Sequence, residues 1–328
     1  MTPPKIRWGI LGTAKILQRL LPAFRLAPSV DLVAIASRSL DKAKRAAAAE
    51  GIPRTFGSYE ELLKSDTIDA VYIPLPNHLH AEWASLAADN GKHILLEKPI
   101  CPTAGDAAQL VARCREKNVR LMDGFFWPHH PRTARLREML DAGVIGRVER
   151  VSAAFTFRLD AGPENIRMQP VMGGGSLLDV GCYAVYGIRW AFGAEPVRVF
   201  AHAKFAHGVD TEMTGQMYFA DGRMASFDCG FTLPLRTWME ISGTEGSIRV
   251  PNMWVPPERA SFELIREDRP VEEISISGYD QIVCMLDNFA AAIREGRDAT
   301  PSPEEGVKTL RVMDALANSA RDGQEIDV

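Results

Sequence analysis

The 328-residue chain is long enough for two domains at roughly 150 residues each, and 46% hydrophobic with 24% charged residues fits ordinary globular cores. Its formal net charge of −4 gives no basic field for steering onto a phosphate backbone, so nucleic acid is not an expected partner. The five cysteines (Cys101, Cys114, Cys182, Cys229, Cys284) contain no C-x-x-C pair, which argues against a disulfide framework or a zinc site and for reduced thiols in a cytoplasm.

Met1-Thr2-Pro3-Pro4-Lys5-Ile6 runs straight into an apolar strand without a basic segment and apolar leader, and no run of 18 or more apolar residues follows. A cytoplasmic chain, complete from its first strand and without a membrane partner, is the expectation. Strands are predicted at Lys5–Leu11, Asp31–Ser37, Asp69–Ile73, His93–Leu96 and Val119–Gly124, with helices at Ala14–Leu26, Leu40–Glu50, His78–Asp89 and Thr103–Glu116 between them. Near-continuous apolar strands alternating with helices imply an α/β Rossmann domain, a doubly wound parallel sheet covered on both faces, over residues 1–124. Its ligands are expected beyond the carboxyl ends of the strands.

The texture changes in residues 125–328. After a helix at Pro131–Ala142, alternating runs at Val148–Leu159, Val197–Ala206, Met213–Ala220, Met224–Thr232, Trp238–Gly243 and Ser247–Pro251 predict a large, mostly antiparallel sheet of an α+β carboxy-terminal domain. Ala220-Asp221-Gly222-Arg223 reads as a hairpin turn. Helices Tyr279–Glu295 and Ser302–Ser319 finish the chain. This domain is expected to bind substrate and to oligomerise, as a homodimer or homotetramer, by covering the open face of the sheet.

The first strand leads into Gly9-Ile10-Leu11-Gly12-Thr13-Ala14-Lys15-Ile16-Leu17. Gly12 fits the first glycine of a dinucleotide turn, whereas Ala14 and Leu17 stand where the fuller pattern has its second and third. The strand before and the helix after favour a pyrophosphate site over an ordinary turn, with Gly9, Gly12, Thr13, Ala14, Lys15 and Ile16 as its candidates. The second strand ends in Ser37-Arg38, with Lys42 in the next helix. An acidic residue for the ribose hydroxyls of NAD is missing there, and Ser37, Arg38 and Lys42 suit a 2′-phosphate. NADP is therefore the expected cofactor, with NAD left open. A solvated basic helix start is the alternative, although cations there oppose the helix dipole.

Three further segments, Tyr72-Ile73-Pro74-Leu75-Pro76-Asn77-His78-Leu79-His80, Glu97-Lys98-Pro99 and Gly173-Gly174-Gly175-Ser176-Leu177-Leu178-Asp179-Val180-Gly181-Cys182-Tyr183, resemble in order and spacing the Gfo/Idh/MocA family of sugar and inositol oxidoreductases. The resemblance runs over essentially the whole chain, including Gly243-Thr244-Glu245-Gly246-Ser247-Ile248. It implies that Pro74, Leu75, Asn77 and His80 line the nicotinamide ribose, with Asn77 and His80 as polar contacts. Glu97 and Lys98 would then stand beside the reacting carbons, with Pro99 often a cis-proline. It also implies that Lys98 is the catalytic base or proton-relay group. Tyr183 places the chain with the tyrosine branch, which includes glucose–fructose oxidoreductase, dimeric dihydrodiol dehydrogenase and sugar dehydrogenases.

The residues themselves agree with such chemistry. An alcohol gives up hydride only if its hydroxyl proton also leaves, so a base is needed within hydrogen-bond reach. A phenol such as Tyr183, activated by a nearby lysine, exchanges a proton with a carbinol or carbonyl oxygen. Asp179, four residues from Tyr183 and on the same helix face, would orient the substrate or tune Lys98. Ser176-x-x-Asp179 also matches a helix capping box, in which the acid only caps backbone amides. Trp127 and His130 are candidates to stack on or hydrogen-bond a sugar, or else hinge packing; Arg167 is a hydroxyl donor or an exposed loop arginine. Pro128 replaces an arginine common in the family.

The expected function is reversible hydride transfer between NADP and a secondary alcohol or hemiacetal of a sugar, as in an aldose 1-dehydrogenase, or of a sugar-like diol. Keto-sugar reduction and trans-dihydrodiol oxidation are alternatives. An NAD-retaining glycosidase and a non-catalytic dinucleotide sensor are alternatives of another class. No metal is expected, since His78 and His80 belong to the nicotinamide-side segment.

Overall fold

The computed structural model describes residues 4–328; the reading of the amino terminus falls partly on residues 1–3, outside the described residues. The chain folds into two compact units, with breaks at His129/His130, Tyr279/Asp280 and Val307/Lys308.

The first unit begins with β1 (Ile6–Leu11), α1 (Leu17–Leu26), β2 (Val30–Ala36), α2 (Leu40–Glu50), β3 (Arg54–Phe56), α3 (Tyr59–Lys64), β4 (Ala70–Ile73), α4 (His80–Asp89), β5 (His93–Leu96), α5 (Ala104–Glu116) and β6 (Leu121–Asp123). The strands pair in the order β3-β2-β1-β4-β5-β6, all in parallel. The order reverses direction between β1 and β4, and in such sheets ligands bind at that switch point beyond the carboxyl ends. Every residue of β4 is buried, as are Ile94, Leu95 and Leu96 of β5, the pattern expected of strands covered on both faces.

The second unit contains α6 (Pro131–Asp141), β7 (Val148–Thr156), α7 (Cys182–Phe192), β8 (Arg198–Ala206), β9 (Val209–Tyr218), β10 (Met224–Gly230), β11 (Met239–Gly243), β12 (Ser247–Val250), β13 (Arg259–Ile265) and β14 (Glu272–Ser277). Two helices, α8 (Gln281–Glu295) and α9 (Glu304–Asp322), and the short β15 (Ile326–Asp327) complete the chain. The sheet order is β14-β13-β12-β11-β7-β10-β9-β8-β15. Only β7 and β10 pair in parallel among these neighbours. The Ala220–Arg223 turn joins β9 and β10 as expected, closed by Phe219 N–H donating to the Arg223 carbonyl at 3.0 Å. The stretch Pro170–Phe192 is apolar and long enough to cross a membrane by composition, yet 67% of it is buried inside the protein. It carries α7, which packs on β7 and β10.

The carboxy-terminal segment departs from the sequence-based division. Residues 280–307 fold with the first unit, because α8 buries Ile282, Met285, Leu286 and Phe289 in the core that holds Trp8 and Phe24. The Trp8 and Phe289 rings lie 5.8 Å apart. The helical signal was visible, but its partner lies more than 250 residues away (ring pair Trp8 and Phe289), beyond any local pattern.

Candidate functional site

In the first unit, α1 starts at Leu17, three residues later than expected, and residues 12–16 form the turn. Gly12 has φ +102°, and a Cβ there would meet the Leu75 Cδ2 at 3.1 Å, so both backbone conformation and close approach require glycine. Ile16 caps α1 without a side-chain hydrogen bond, and no acidic residue occupies the first turn. Exposed Thr13 and Lys15 stand on the turn that leads into this helix start, where the helix dipole favours an anion. Gly9 is a correction. It lies buried within β1, paired with Ala34 and Val71, and its open face meets Leu62 and Ile68 side chains at 3.1 Å. It serves strand–helix packing.

At the end of β2, Ser37 is buried and its Oγ accepts from the Ser39 N–H at 3.4 Å; Arg38 and Lys42 are exposed. Tyr59, from α3, was missed by sequence reasoning. Burial pushes its phenol pKa up, and the adjacent Arg38 guanidinium, which hydrogen-bonds the hydroxyl, pulls it down. That hydroxyl also lies 3.5 Å from where a Gly12 Cβ would stand, so Tyr59 ties the phosphate turn to the basic pair.

The next two segments are joined by His80. Its Nδ1 lies 2.9 Å from the Pro99 carbonyl and its Nε2 2.8 Å from the Leu75 carbonyl. The ring has no exposed surface. Burial lowers its pKa to about 4, while the two carbonyls favour the charged ring. The expectation that His80 contacts the cofactor is therefore corrected: both ring nitrogens are committed to holding the Leu75 loop against the Lys98-Pro99 turn. Asn77, Pro74 and Leu75 remain in that loop, Asn77 and Leu75 partly exposed and Pro74 buried. The Lys98–Pro99 peptide is cis.

Glu97 and Lys98 follow β5 directly. The Tyr72 hydroxyl donates to Glu97 Oε1, and burial raises the Glu97 pKa against the pull of Lys98 and Arg19. A second acid, Asp123, was also missed. It ends β6 in register with Leu96, accepts from the backbone N–H groups of Gly124 and Ile100, and is held well above the usual carboxylate range by burial and by Glu97. Gly124 permits this approach, since a Cβ there would meet the Leu96 carbonyl oxygen at 2.8 Å. A carboxylate at a strand end carries no sequence signal that separates it from a solvated turn.

In the second unit, Asp179 lies in a π-helical turn, Leu177–Gly181, that leads into α7. Such wide turns concentrate at functional sites. The capping box is not formed. Ser176 Oγ donates instead to Asp210 Oδ2 at 2.6 Å, and the same oxygen accepts from the Leu177 N–H at 2.7 Å. Asp179 is thereby left to Arg167, whose Nε donates to its Oδ2 at 2.6 Å; the Arg167 guanidinium also lies over the Phe157 ring. Tyr183 is buried, its ring set between Phe155 at 5.1 Å and Trp254 at 6.0 Å. Trp254 is fixed in turn by donating from Nε1 to the Ala154 carbonyl at 2.9 Å. Gly174 and Gly175 are needed by the fold: a Cβ would meet the Arg167 carbonyl oxygen at 2.6 Å and the Asp210 carboxylate at 2.3 Å, respectively.

Two candidates for sugar contact are corrected. Trp127 is wholly buried. His130 is buried too, and its Nδ1 accepts from the Arg132 N–H at 3.0 Å, as the cap of α6. Both belong to packing. Among the described residues no group of His, Cys, Asp and Glu could hold a metal ion.

Comparison with known proteins matches residues 6–125 to an oxidoreductase family with an NAD-binding Rossmann fold and residues 133–249 to the GFO/IDH/MocA C-terminal domain. The chain is 37% identical to a D-xylose 1-dehydrogenase (NADP(+)) of Haloferax volcanii, over 98% of this chain and 99% of that one. It is 34% identical to a dTDP-3,4-didehydro-2,6-dideoxy-alpha-D-glucose 3-reductase of Actinomadura kijaniata, over 97% and 96% of the two chains. The crystal structure of a 3-ketoreductase from Actinomadura kijaniata, in complex with NADP and TDP-benzene, superposes with a TM-score of 0.89 at 32% identity, covering 96% of this chain and 98% of that one. With both domain models matched in order and relatives aligned end to end, the chain belongs to the Gfo/Idh/MocA family of oxidoreductases.

Proposed function

We propose that this protein is an NADP-dependent oxidoreductase acting on a secondary alcohol or hemiacetal of a sugar, in the manner of an aldose 1-dehydrogenase. The observation that carries the proposal is the placement of Lys98 on the turn after β5, pinned by His80 and set beside Glu97 and Asp123. The Haloferax volcanii relative, by name an NADP-dependent xylose dehydrogenase, supports both cofactor and substrate class.

The residues fit the cofactor. The Gly12 turn and the uncapped start of α1 would hold the pyrophosphate, and Ser37, Arg38 and Lys42 the 2′-phosphate. Pro74, Leu75 and Asn77 would line the nicotinamide ribose. When bound, the nicotinamide supplies the hydride acceptor or donor. Lys98 exchanges the hydroxyl proton, which must leave as the carbon is oxidised. Tyr183, held by its two aromatic neighbours, would donate a hydrogen bond to the same substrate oxygen and stabilise the charge that develops there. Asp179 and Arg167 bind neighbouring hydroxyls, the carboxylate accepting and the guanidinium donating.

The same groups run in reverse on a keto-sugar, a second reading favoured by the likeness to the 3-ketoreductase structure. The test is cofactor turnover with NADP and NAD across aldoses, dihydrodiols and keto-sugars. NADP reduction by a pentose or hexose supports the first reading. NADPH oxidation by a keto-sugar alone replaces it with the second.

The second sheet bears exposed Phe200 and Phe205 on β8 and Met224 on β10, which supports a homodimer, or a tetramer of dimers, assembled through that sheet. None of the five cysteines forms a disulfide, in keeping with a cytoplasmic location. Sedimentation at micromolar concentration checks the assembly, and a monomer would refute it.

A further inference from the structure

We propose that Arg132 is a positioning residue for Tyr183: its guanidinium clamps the turn after β12, and that turn sets the Trp254 indole against the Tyr183 ring. The proposal rests on the role given to Tyr183 above. Arg132 acts through the indole and not on the substrate itself.

Arg132 is the second residue of α6 and is buried. A cation at that end opposes the helix dipole, and among the described residues no carboxylate pairs with it. Burial lowers its pKa to about 10, which leaves it charged at neutral pH. Replacing such a buried ion by an apolar side chain is often neutral or stabilising, so neither the helix nor the core accounts for an arginine here. Its hydrogen bonds do. Nη1 donates to the Pro251 carbonyl at 3.2 Å, and Nη2 donates to the carbonyls of Asn252 and Met253, each at 3.0 Å. In a strand successive carbonyls point to opposite sides. Three of them meet one guanidinium because the chain turns at Asn252, whose φ is +49°. A planar fork with two separated terminal nitrogens suits that set better than a single ammonium.

The clamped turn runs directly into Trp254. Met253, the residue before it, is held on both sides: its carbonyl accepts from Arg132, and its N–H donates to the Thr237 carbonyl at 2.5 Å. The buried indole is anchored at Nε1 by the Ala154 carbonyl of β7. Its six-membered ring lies on α7 at Gly187, where a Cβ would meet Cη2 at 2.5 Å and Cζ3 at 2.9 Å. Glycine weakens a helix interior, and at this position it makes room for the ring. Tyr183 and Gly187 are four residues apart and share one face of the helix. The indole that fills the gap at Gly187 therefore also bounds the Tyr183 ring, with centroids 6.0 Å apart and planes inclined by 53°. Phe155, the neighbour of Ala154, stands 5.1 Å from the same ring.

The direction of the phenol is thus set by two rings, one of which depends on Arg132. A hydrogen bond to a substrate oxygen weakens steeply with misalignment, and a misplacement of about 1 Å can cost about a hundredfold in rate.

The test places 3-fluorotyrosine in the full chain and follows the fluorine NMR resonances without substrate. Tyr183→Phe and Tyr59→Phe assign two of the six tyrosines. Arg132→Met and Arg132→Lys should each shift the Tyr183 resonance, as Trp254→Phe does, and leave that of Tyr59, in the first unit, in place. NADP reduction by D-xylose should fall about tenfold or more in kcat, with KM and NADP affinity nearly unchanged. Adding Arg132→Lys to Tyr183→Phe should cause no further loss. An unmoved Tyr183 resonance in a folded Arg132 variant, or equal losses with and without the Tyr183 hydroxyl, overturns the proposal and leaves the arginine a folding element only. Should Arg132→Met fail to fold, Arg132→Lys, which keeps the charge and loses the fork, decides. Tyr183→Phe separates the two claims. If it turns over D-xylose as wild type does, the role of Tyr183 fails; if it is inactive while Arg132→Lys is normal with its resonance unmoved, only the positioning by Arg132 fails. A chain inactive on D-xylose bears on the substrate reading, and the resonance then decides alone.

Discussion

Arg167 Nε donates a 2.6 Å hydrogen bond to Asp179 Oδ2, joining two residues that the sequence presents as separate candidates. In the proposed function this pair supplies an acceptor and a donor for adjacent hydroxyls. Its arginine is 38% exposed and its aspartate 17%, so the pair is worth at most about 1 kcal/mol of stability.

Arg167→Ala is accordingly expected to melt within a few degrees of wild type and to lose about tenfold or more in kcat/KM for the sugar. Arg167→Lys should recover little, because lysine lacks the planar fork. Steady-state kinetics beside a thermal melt checks this. A substrate KM unchanged in Arg167→Ala would remove the residue from the site.

Gly124→Ala forces a Cβ to within 2.8 Å of the Leu96 carbonyl oxygen and 3.1 Å of Glu97 Cα. Both are backbone atoms, so the Glu97-Lys98 turn must shift. A loss of about 1–3 kcal/mol is expected, together with a fall in kcat and little change in NADP affinity. Denaturant titration and cofactor fluorescence separate the two effects.

Arg38→Asp places an anion where a 2′-phosphate is expected. NADP should weaken by about tenfold to a hundredfold, the range of a lost charged hydrogen bond, and NAD should gain relative to it. Tyr59→Phe removes only the hydroxyl beside Arg38 and should weaken NADP more than NAD, by a smaller factor. Unaltered NADP selectivity in Arg38→Asp would put the phosphate elsewhere.

Burial lowers the pKa of His129 to about 3, and its Nδ1 lies 3.1 Å from Asn288 Nδ2, which donates to it. The unfolded chain therefore binds this proton near the ordinary 6.5, before the folded chain does. The neutral ring's contribution is fully present above pH 6.5 and declines as the pH falls from 6.5 toward 3. His129→Asn, which cannot charge, should show a shallower loss of stability over that window. Parallel curves for the two proteins would contradict the assignment.

Much of the fold was legible because the strands of a doubly wound sheet are apolar on both faces: Ile94, Leu95 and Leu96 have no other place to go. The three-residue β3, with exposed Arg54, and β14, with only Ile274 and Ile276 apolar, carry too little apolar signal to stand out, whereas β13 alternates Ala260, Phe262 and Leu264 with polar residues and was overlooked. The site divides in the same way. Lys98, Asp179 and Tyr183 were found through motif spacing. The burial of His80, the occupation of Ser176 by Asp210, and the acid Asp123 depend on partners between 5 and 34 residues distant in the chain. Those partners follow from the tertiary fold, and no local pattern announces them.

The central claim is tested most directly by following NADP reduction by the purified protein with a panel of pentoses and hexoses, beside Lys98→Ala and Tyr183→Phe. The account predicts turnover of at least one aldose, lost by about a hundredfold or more in each variant while NADP affinity persists. Turnover unaffected by either substitution, or none with any aldose, diol or keto-sugar despite bound NADP, would contradict it.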